Sequence, residues 1–506
     1  MMRIVLKKIG RSLLMTVGIT LGVYSGVASA QGKVLKVALG SMVASMDPNA
    51  KTSGPPATIV FYPVFDTLTF SNEKGEVVPS VATSWKNTSP TSWEFQLRGD
   101  VRFSNGEVLD AQAVKFTLDR VLNPENKQVV RARIATIKAV TVIGASTVRI
   151  DTQSPDPILP KRLSSIFLLP PTYLRSTGED GFAQKPIGSG PFKVAAFTPS
   201  SQVRLEAVTT SWRGRPNLDG VEIRAIPEAS TRVASLRAGE AHIVESIPPD
   251  LAQRLSRERG LQVVAETLGQ VNLILLNTAE PALSKKEVRQ ALNLAVDKTA
   301  IVEGIMKGYA VPTGQLVAPN GTGHSSDIQP YPYDPVKAKA MLDAAGVKDL
   351  TLTLHTTQGL QLNDREMTEA VAGYLNAVGV KTQIQVLETA AFVQNYHGGG
   401  MNPAFFIGWW YFPAMDGDFV YVWNQSGMKQ SRFQNAKFDD LYTASTKEMN
   451  PAKRLEIMQS MARMFHEEAP GIMLLHPRQT YGVRQEVQGF VPRPDRVIVF
   501  DRIRFQ

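Results

Sequence analysis

Two features of the sequence predict an α/β fold. Strand-like and helix-like segments alternate through residues 271–480, several of the helices opened by a capping residue, and no repeat or low-complexity tract interrupts residues 31–506. Composition agrees. The 506 residues are 43% apolar and 20% charged, which describes a folded chain with material for roughly two to four domains, and only one apolar stretch approaches membrane-spanning length.

Taken in order, residues 33–40 (Lys-Val-Leu-Lys-Val-Ala-Leu-Gly) alternate and predict a first strand, and Asp47-Pro48 predicts a turn. Alternating segments fill 85–103 around Trp93–Leu97. Asp110 caps a predicted helix with Val114, Leu118 and Val121 as its apolar stripe. Residues 186–194 form a Gly/Pro loop running into a strand, and 271–277 a buried strand. Ser284 and Glu287 have capping-box spacing ahead of a helix with Val288, Ala291, Leu292, Ala295 and Val296 on one face. Asp334-Pro335 opens the next helix and Gly346 closes it. A strand at 351–355 follows, then a helix near 364–378 with Met367, Val371, Tyr374 and Leu375 inward. Val380, Thr382, Ile384 and Val386 alternate as a strand. Asn450-Pro451 opens a last helix that buries Leu455, Met458, Ala462 and Phe465.

The first thirty residues read as an address. Arg3, Lys7, Lys8 and Arg11 precede an uncharged apolar run over 12–27, and Ala28-Ser29-Ala30 is a small-x-small cleavage pattern. This is the order of a secretory signal peptide cleaved after Ala30, the alternative being an uncleaved anchor helix. No cysteine stands near the cleavage point, so a soluble protein of the bacterial periplasm is expected rather than a lipoprotein. The formal net charge of +9 includes four positive charges within residues 1–30. The mild remainder is scattered among acids, with no basic run of the kind that binds nucleic acid.

Catalytic chemistry is hard to find. With no Cys there are no thiolate nucleophiles, thiolate metal sites or disulfides. Gly188-Ser189-Gly190 lacks the spacing of a nucleophile elbow, and no phosphate-cradling loop is present. His466-Glu467-Glu468-Ala469-Pro470 begins like a zinc helix, but Pro470 stands in the second His position, which reads instead as a solvated helix end. The six His are scattered, and neither a metal nor another cofactor is expected. Arg98, Arg289 and Asp297 read as structural ion-pair partners.

One segment stands out. Residues 405–424 hold three of the six Trp. Trp409, Trp410, Tyr411 and Trp423 lie beside Gly, Pro and the acids Asp416 and Asp418, which predicts a loop after a strand at 404–408. Gly398-Gly399-Gly400 just upstream would allow a bend. Aromatics at the C-terminal end of a strand line ligand clefts, so these six residues are the candidate binding site; an ordinary core corner is the other reading.

Several blocks in order resemble the peptide/nickel class (family five) of bacterial extracellular solute-binding proteins, the receptors of ATP-driven importers. They are Ser45-Met46-Asp47-Pro48, Pro79–Trp85, Trp93–Gly106 with Val114-Lys115-Phe116 and Arg120, Pro186–Phe192, Val288–Leu292 with Ala295–Lys298, and Tyr333-Asp334-Pro335 with Ala345-Gly346. Ala113 departs from the family's usual Asp. Peptide-binding members also carry an Asp after the Gly-Trp of the late aromatic loop, which pairs with the peptide's amino group. Here Gly408-Trp409 runs into Trp410-Tyr411-Phe412-Pro413, and the first acids are Asp416 and Asp418.

The resemblance implies a two-lobed periplasmic-binding-protein fold with mixed sheets and a hinge. Lobe one would take residues 31–276 with 481–506 returning to it, and lobe two 277–480. A small organic ligand would sit between the lobes and close them, and the partner would be an inner-membrane permease, with the receptor a monomer. Peptides, metal chelates, sugars and aromatic or opine-like metabolites all remain open as ligands. An exported enzyme such as a hydrolase, or a ligand sensor docking on a membrane receptor, are the competing functions.

Overall fold

Two mixed sheets that share one long strand organise the chain. The computed structural model describes residues 32–50, 56–347, 349–411 and 414–506; the signal segment 1–30 and its cleavage point lie outside them. In the first sheet β1 (Val34–Leu39) is parallel to Gly220–Ala225 on one side and to β2 (Ile243–Glu245) on the other. Gln202–Ala207 and Phe192–Thr198 extend it antiparallel. Alternation explains the placement: Leu35, Val37 and Leu39 enter one core with Phe61, Phe65 and Ile223, while Ala38 faces another with Val233 and Leu236. A separate four-stranded antiparallel sheet spanning 82–152 packs on α1 (Ala111–Leu122). The Asp110 carboxylate accepts from the Gln112 and Ala113 amides, and Val114, Leu118 and Val121 are buried as the stripe requires. A short helix, α2 (Leu159–Leu163), follows.

β3 (Leu261–Thr267) and β4 (Gln270–Leu276) are separated only by Leu268 and Gly269. In the second sheet β5 (Thr351–Thr356) leads into α3 (Asp364–Ala377) and is parallel to β6 (Lys381–Val386) and to β7 (Ala404–Trp410); β7 runs antiparallel to β4. After α4 (Pro451–Glu468) comes the shared strand, β8 (Gly471–Arg484). Its first part pairs with β4 and its second with β3 and β2. The changeover falls at Pro477, which has no N–H to give and whose carbonyl accepts from the Leu268 amide at 2.9 Å. β4, assigned with the first lobe by the sequence reading, is thus hydrogen-bonded into the second sheet.

Several local expectations are corrected. The 284–287 capping box does not form: the helix is Lys286–Leu294 with no side-chain cap, and the Ser284 hydroxyl donates to the Pro281 carbonyl. Leu455 is 37% exposed rather than inward. Ile384 and Val386 are also exposed, because β6 is the edge of the sheet. His466 is not a solvated end: it is half-buried, stacked on Tyr331 with its Nδ1 3.0 Å from the Gly314 carbonyl oxygen. Asp334 and Asn450 cap their helices as expected. Arg98 pairs with Asp100, Arg289 donates to the Glu468 carbonyl, and Asp297 caps Lys298–Gly304.

Candidate functional site

At the crossing of β3–β4 with β8 lies a cavity of about 550 Å³. Its floor is made by the crossing itself, from Leu268, Gln270 and Asn272 on one strand pair and Pro477 to Thr480 on β8. Ser246, Ile247 and Arg496 supply one wall, and the loop 359–363 with Trp410 the other.

Sheet register brings the polar floor together. Gln270 pairs with Trp410 and Asn272 with Gly408, so all four share one face of the β4–β7 pair. Gln270 Nε2 donates to Asn272 Oδ1 at 2.8 Å and to Gln361 Oε1 at 2.7 Å. Glycine at 408 leaves room for this relay, since a Cβ would fall 2.6 Å from Gln361 Cδ and 2.7 Å from Gln270 Nε2 and would push the two amides aside. Gln361 is delivered by a loop built around Asp364, whose buried carboxylate accepts from the amides of Gly359, Leu360 and Gln361 at 2.9–3.1 Å. On the facing wall the buried Arg232 donates to the Glu245 and Ser246 carbonyls at 3.1 and 2.8 Å, fixing Ser246 at φ 53°. Arg496 pairs with buried Glu245 at 2.7 Å.

The sequence-predicted site residues divide. Trp409 and Trp410 belong to β7, which runs two residues beyond the expected strand end, and their side chains leave opposite faces. Trp410 lines the cavity. Trp409 is only 4% exposed and sits in the core with Phe405 and Ile407, its indole N–H donated to the Tyr396 hydroxyl at 3.0 Å. Tyr411 is buried, its hydroxyl accepting from the Ala318 amide at 2.6 Å, and burial pushes its pKa up. Trp423 is half-buried against the same core.

Asp416 and Asp418 belong to a buried ion cluster rather than to the cavity wall. Arg454 grips Asp416 with two hydrogen bonds of 2.8 and 2.9 Å, and Asp416 in turn accepts from the Asp418 amide at 3.0 Å. From α2, Lys161 reaches to 3.8 Å from Asp416 and donates to the Thr322 hydroxyl at 2.8 Å. Arg162 donates to Asp418 at 2.7 Å and lies 3.3 Å from Asp156. Three cations meet three carboxylates. Burial works to raise the Asp416 carboxyl, but Arg454 and Lys161 outweigh it and hold it at about 2.

Residues 76–431 match the family model described as bacterial extracellular solute-binding proteins, family 5 middle. The chain belongs to this family. It is 26% identical to the dipeptide-binding protein of Escherichia coli K12, over 97% of this chain and 98% of that one. It is also 26% identical to a glutathione-binding protein of Salmonella paratyphi A, over 81% of this chain and 82% of that one. Among solved structures, HbpA2 from Haemophilus parasuis superposes with a TM-score of 0.83 at 22% identity, covering 94% of this chain and all of that one. These curated relatives are binding proteins, not enzymes. As a family 5 solute-binding protein, the chain is a periplasmic receptor of an ATP-driven importer that captures a small organic solute. Among the described residues no helix is long and apolar enough to cross a membrane.

Gln270, Asn272, Gln361, Arg478 and Arg496 were missed by sequence reasoning. One signal was present: Gln270 and Asn272 are polar residues two apart at the start of an otherwise apolar strand, which puts both on one face. Nothing local announces Gln361 or Arg496, which come from far along the chain.

Proposed function

We propose that this family 5 receptor holds its solute in the cavity at the β3–β4/β8 crossing, and that two lobes close over it. The observation that carries the reading is the cavity's construction: its walls come from opposite halves of the molecule, and its floor from strands that pass between them. Flexure at Leu268-Gly269 and Pro477 would divide the lobes, so that β4 moves with residues 277–477 and the boundary at 276/277 read from the sequence shifts back to Leu268-Gly269. Trp410 offers a flat apolar face for stacking, and the amides set orientation. The receptor acts as a monomer with its permease, starts at Gln31 after cleavage, and releases its solute unchanged. Dipeptide and glutathione, the ligands in the relatives' names, set the size of solute to test first.

Native mass spectrometry of gently purified protein should reveal a small solute that leaves on denaturation with its mass intact. Readding it at a hundred times its Kd should stabilise the fold by about 2.7 kcal/mol. Small-angle scattering should show a smaller radius with solute than without. A Trp410→Ala protein that carries the same solute with unchanged affinity would move the site elsewhere.

A further inference from the structure

We propose that the cleft selects solutes bearing a carboxylate and does not depend on a free amino group in them. This rests on the cavity being the binding site. Its described lining includes two guanidinium groups and no Asp or Glu. Most nearby carboxylates are already engaged, Asp364 by three backbone amides, Glu245 by Arg496, Asp416 by Arg454 and Asp418 by Arg162, and Glu266 on β3, outside the lining, accepts from the Thr267 amide.

The guanidinium groups are differently placed. Arg496 is buried and charge-matched by Glu245, yet its Nε–H has no acceptor. A buried donor left unmet costs free energy unless something enters to accept from it. Arg478 stands exposed on β8 next to Pro477, and among the described residues its side chain has no hydrogen bond or ion pair; Glu266 on β3 feels its charge without contacting it. The amide relay adds donors of its own. Because Gln270 Nε2 spends its hydrogens on Asn272 and Gln361, the amino groups of Asn272 and Gln361 are left without a protein acceptor among the described residues.

The floor therefore presents donors and a positive charge that has no ion-pair partner among the described residues. A carboxylate accepts from such a group and gains a charge-assisted bond. An ammonium would be stripped of water to face Arg478 with no carboxylate in the cavity lining, the nearest acid on β3, Glu266, lying outside it.

Calorimetry on the mature protein, dialysed free of its own solute, tests this with trialanine in four end states: free, N-acetylated, C-amidated and blocked at both ends. The free and N-acetylated forms should bind within about threefold of each other, and the C-amidated and doubly blocked forms at least tenfold more weakly. Arg478→Gln, at an exposed position that supports no core, should bring the two acids down to the level of the amides and leave the amides unchanged. Equal binding of acid and amide, loss of binding on N-acetylation, or acids indifferent to Arg478→Gln would each overturn the proposal. Should no form bind while native mass spectrometry still finds a solute on the purified protein, the carboxylate inference falls and the cleft reading stands. Should no solute be carried either, both fall.

Discussion

The cavity wall at Trp410 and the ion cluster at Asp416 are built from one stretch of chain, and they meet opposite requirements. In the cluster every cation has a carboxylate and Asp416 is only 1% exposed, so no charge is left unmatched, although the buried Asp418 Oδ1 has no hydrogen-bond partner among the described residues. At the cavity, among the described residues, the Arg478 side chain, the Arg496 Nε–H and the amino groups of Asn272 and Gln361 have no protein partner, while the apolar face of Trp410 lines the space. Both regions hold the residue types expected of a binding site. What separates them is whether charge is matched inside the protein and closed off from solvent.

The strongest way to break this contrast is Arg454→Ala. It leaves Asp416 buried without its two-pronged partner and should cost about 3–5 kcal/mol in urea unfolding. A loss below about 1 kcal/mol would mean that water reaches the carboxylate and the cluster is not closed. Trp409→Ala should cost a similar amount, about 3–5 kcal/mol, because it empties a packed core position and orphans the Tyr396 hydroxyl.

The next effect is a pH dependence centred on the crossing. Burial depresses the His476 pKa to about 4 from the ordinary 6.5, with nearby His324 adding to the effect; its Nδ1 lies 2.7 Å from the Gln270 carbonyl oxygen. The unfolded chain takes up that proton from about pH 6.5 downward and the folded one only near 4. Stability should therefore fall by about 3 kcal/mol as pH drops from 6.5 to 4, with no further loss from this group below. His476→Gln should remove that part of the slope in thermal melts across the range. The smallest effect on folding is expected from Trp410→Ala, under about 1 kcal/mol, with solute binding weakened about tenfold. The two Trp substitutions behaving alike would erase the distinction between the faces of β7.

Much of the scaffold was readable because its signals are local. Asp110, Asp334 and Asn450 announce helices through contacts two or three residues away, and Val114, Leu118 and Val121 keep helical spacing. The Ser284 box had the right letters, but the helix begins at Lys286, which puts Lys285 rather than Ser284 at the capping position. The aromatic segment was noticed, yet its composition is shared by a core residue and a cavity residue, and only strand register tells Trp409 from Trp410. The two acids were assigned to a ligand because their partners, on α2 and α4, are not adjacent in sequence. Gln361 meets Gln270 across 91 residues, and Arg496 meets Glu245 across 251, separations at which no periodicity carries information.

β8 also dictates a timetable. A chain synthesised from its N-terminus reaches Gly471–Arg484 only after every other described strand of both sheets, and until then β2, β3 and β4 each lack a neighbour. Neither sheet is complete before almost all of the polypeptide exists, since antiparallel pairing over such separations waits for the distant partner. The two sheets therefore close together, around the one strand that both of them need.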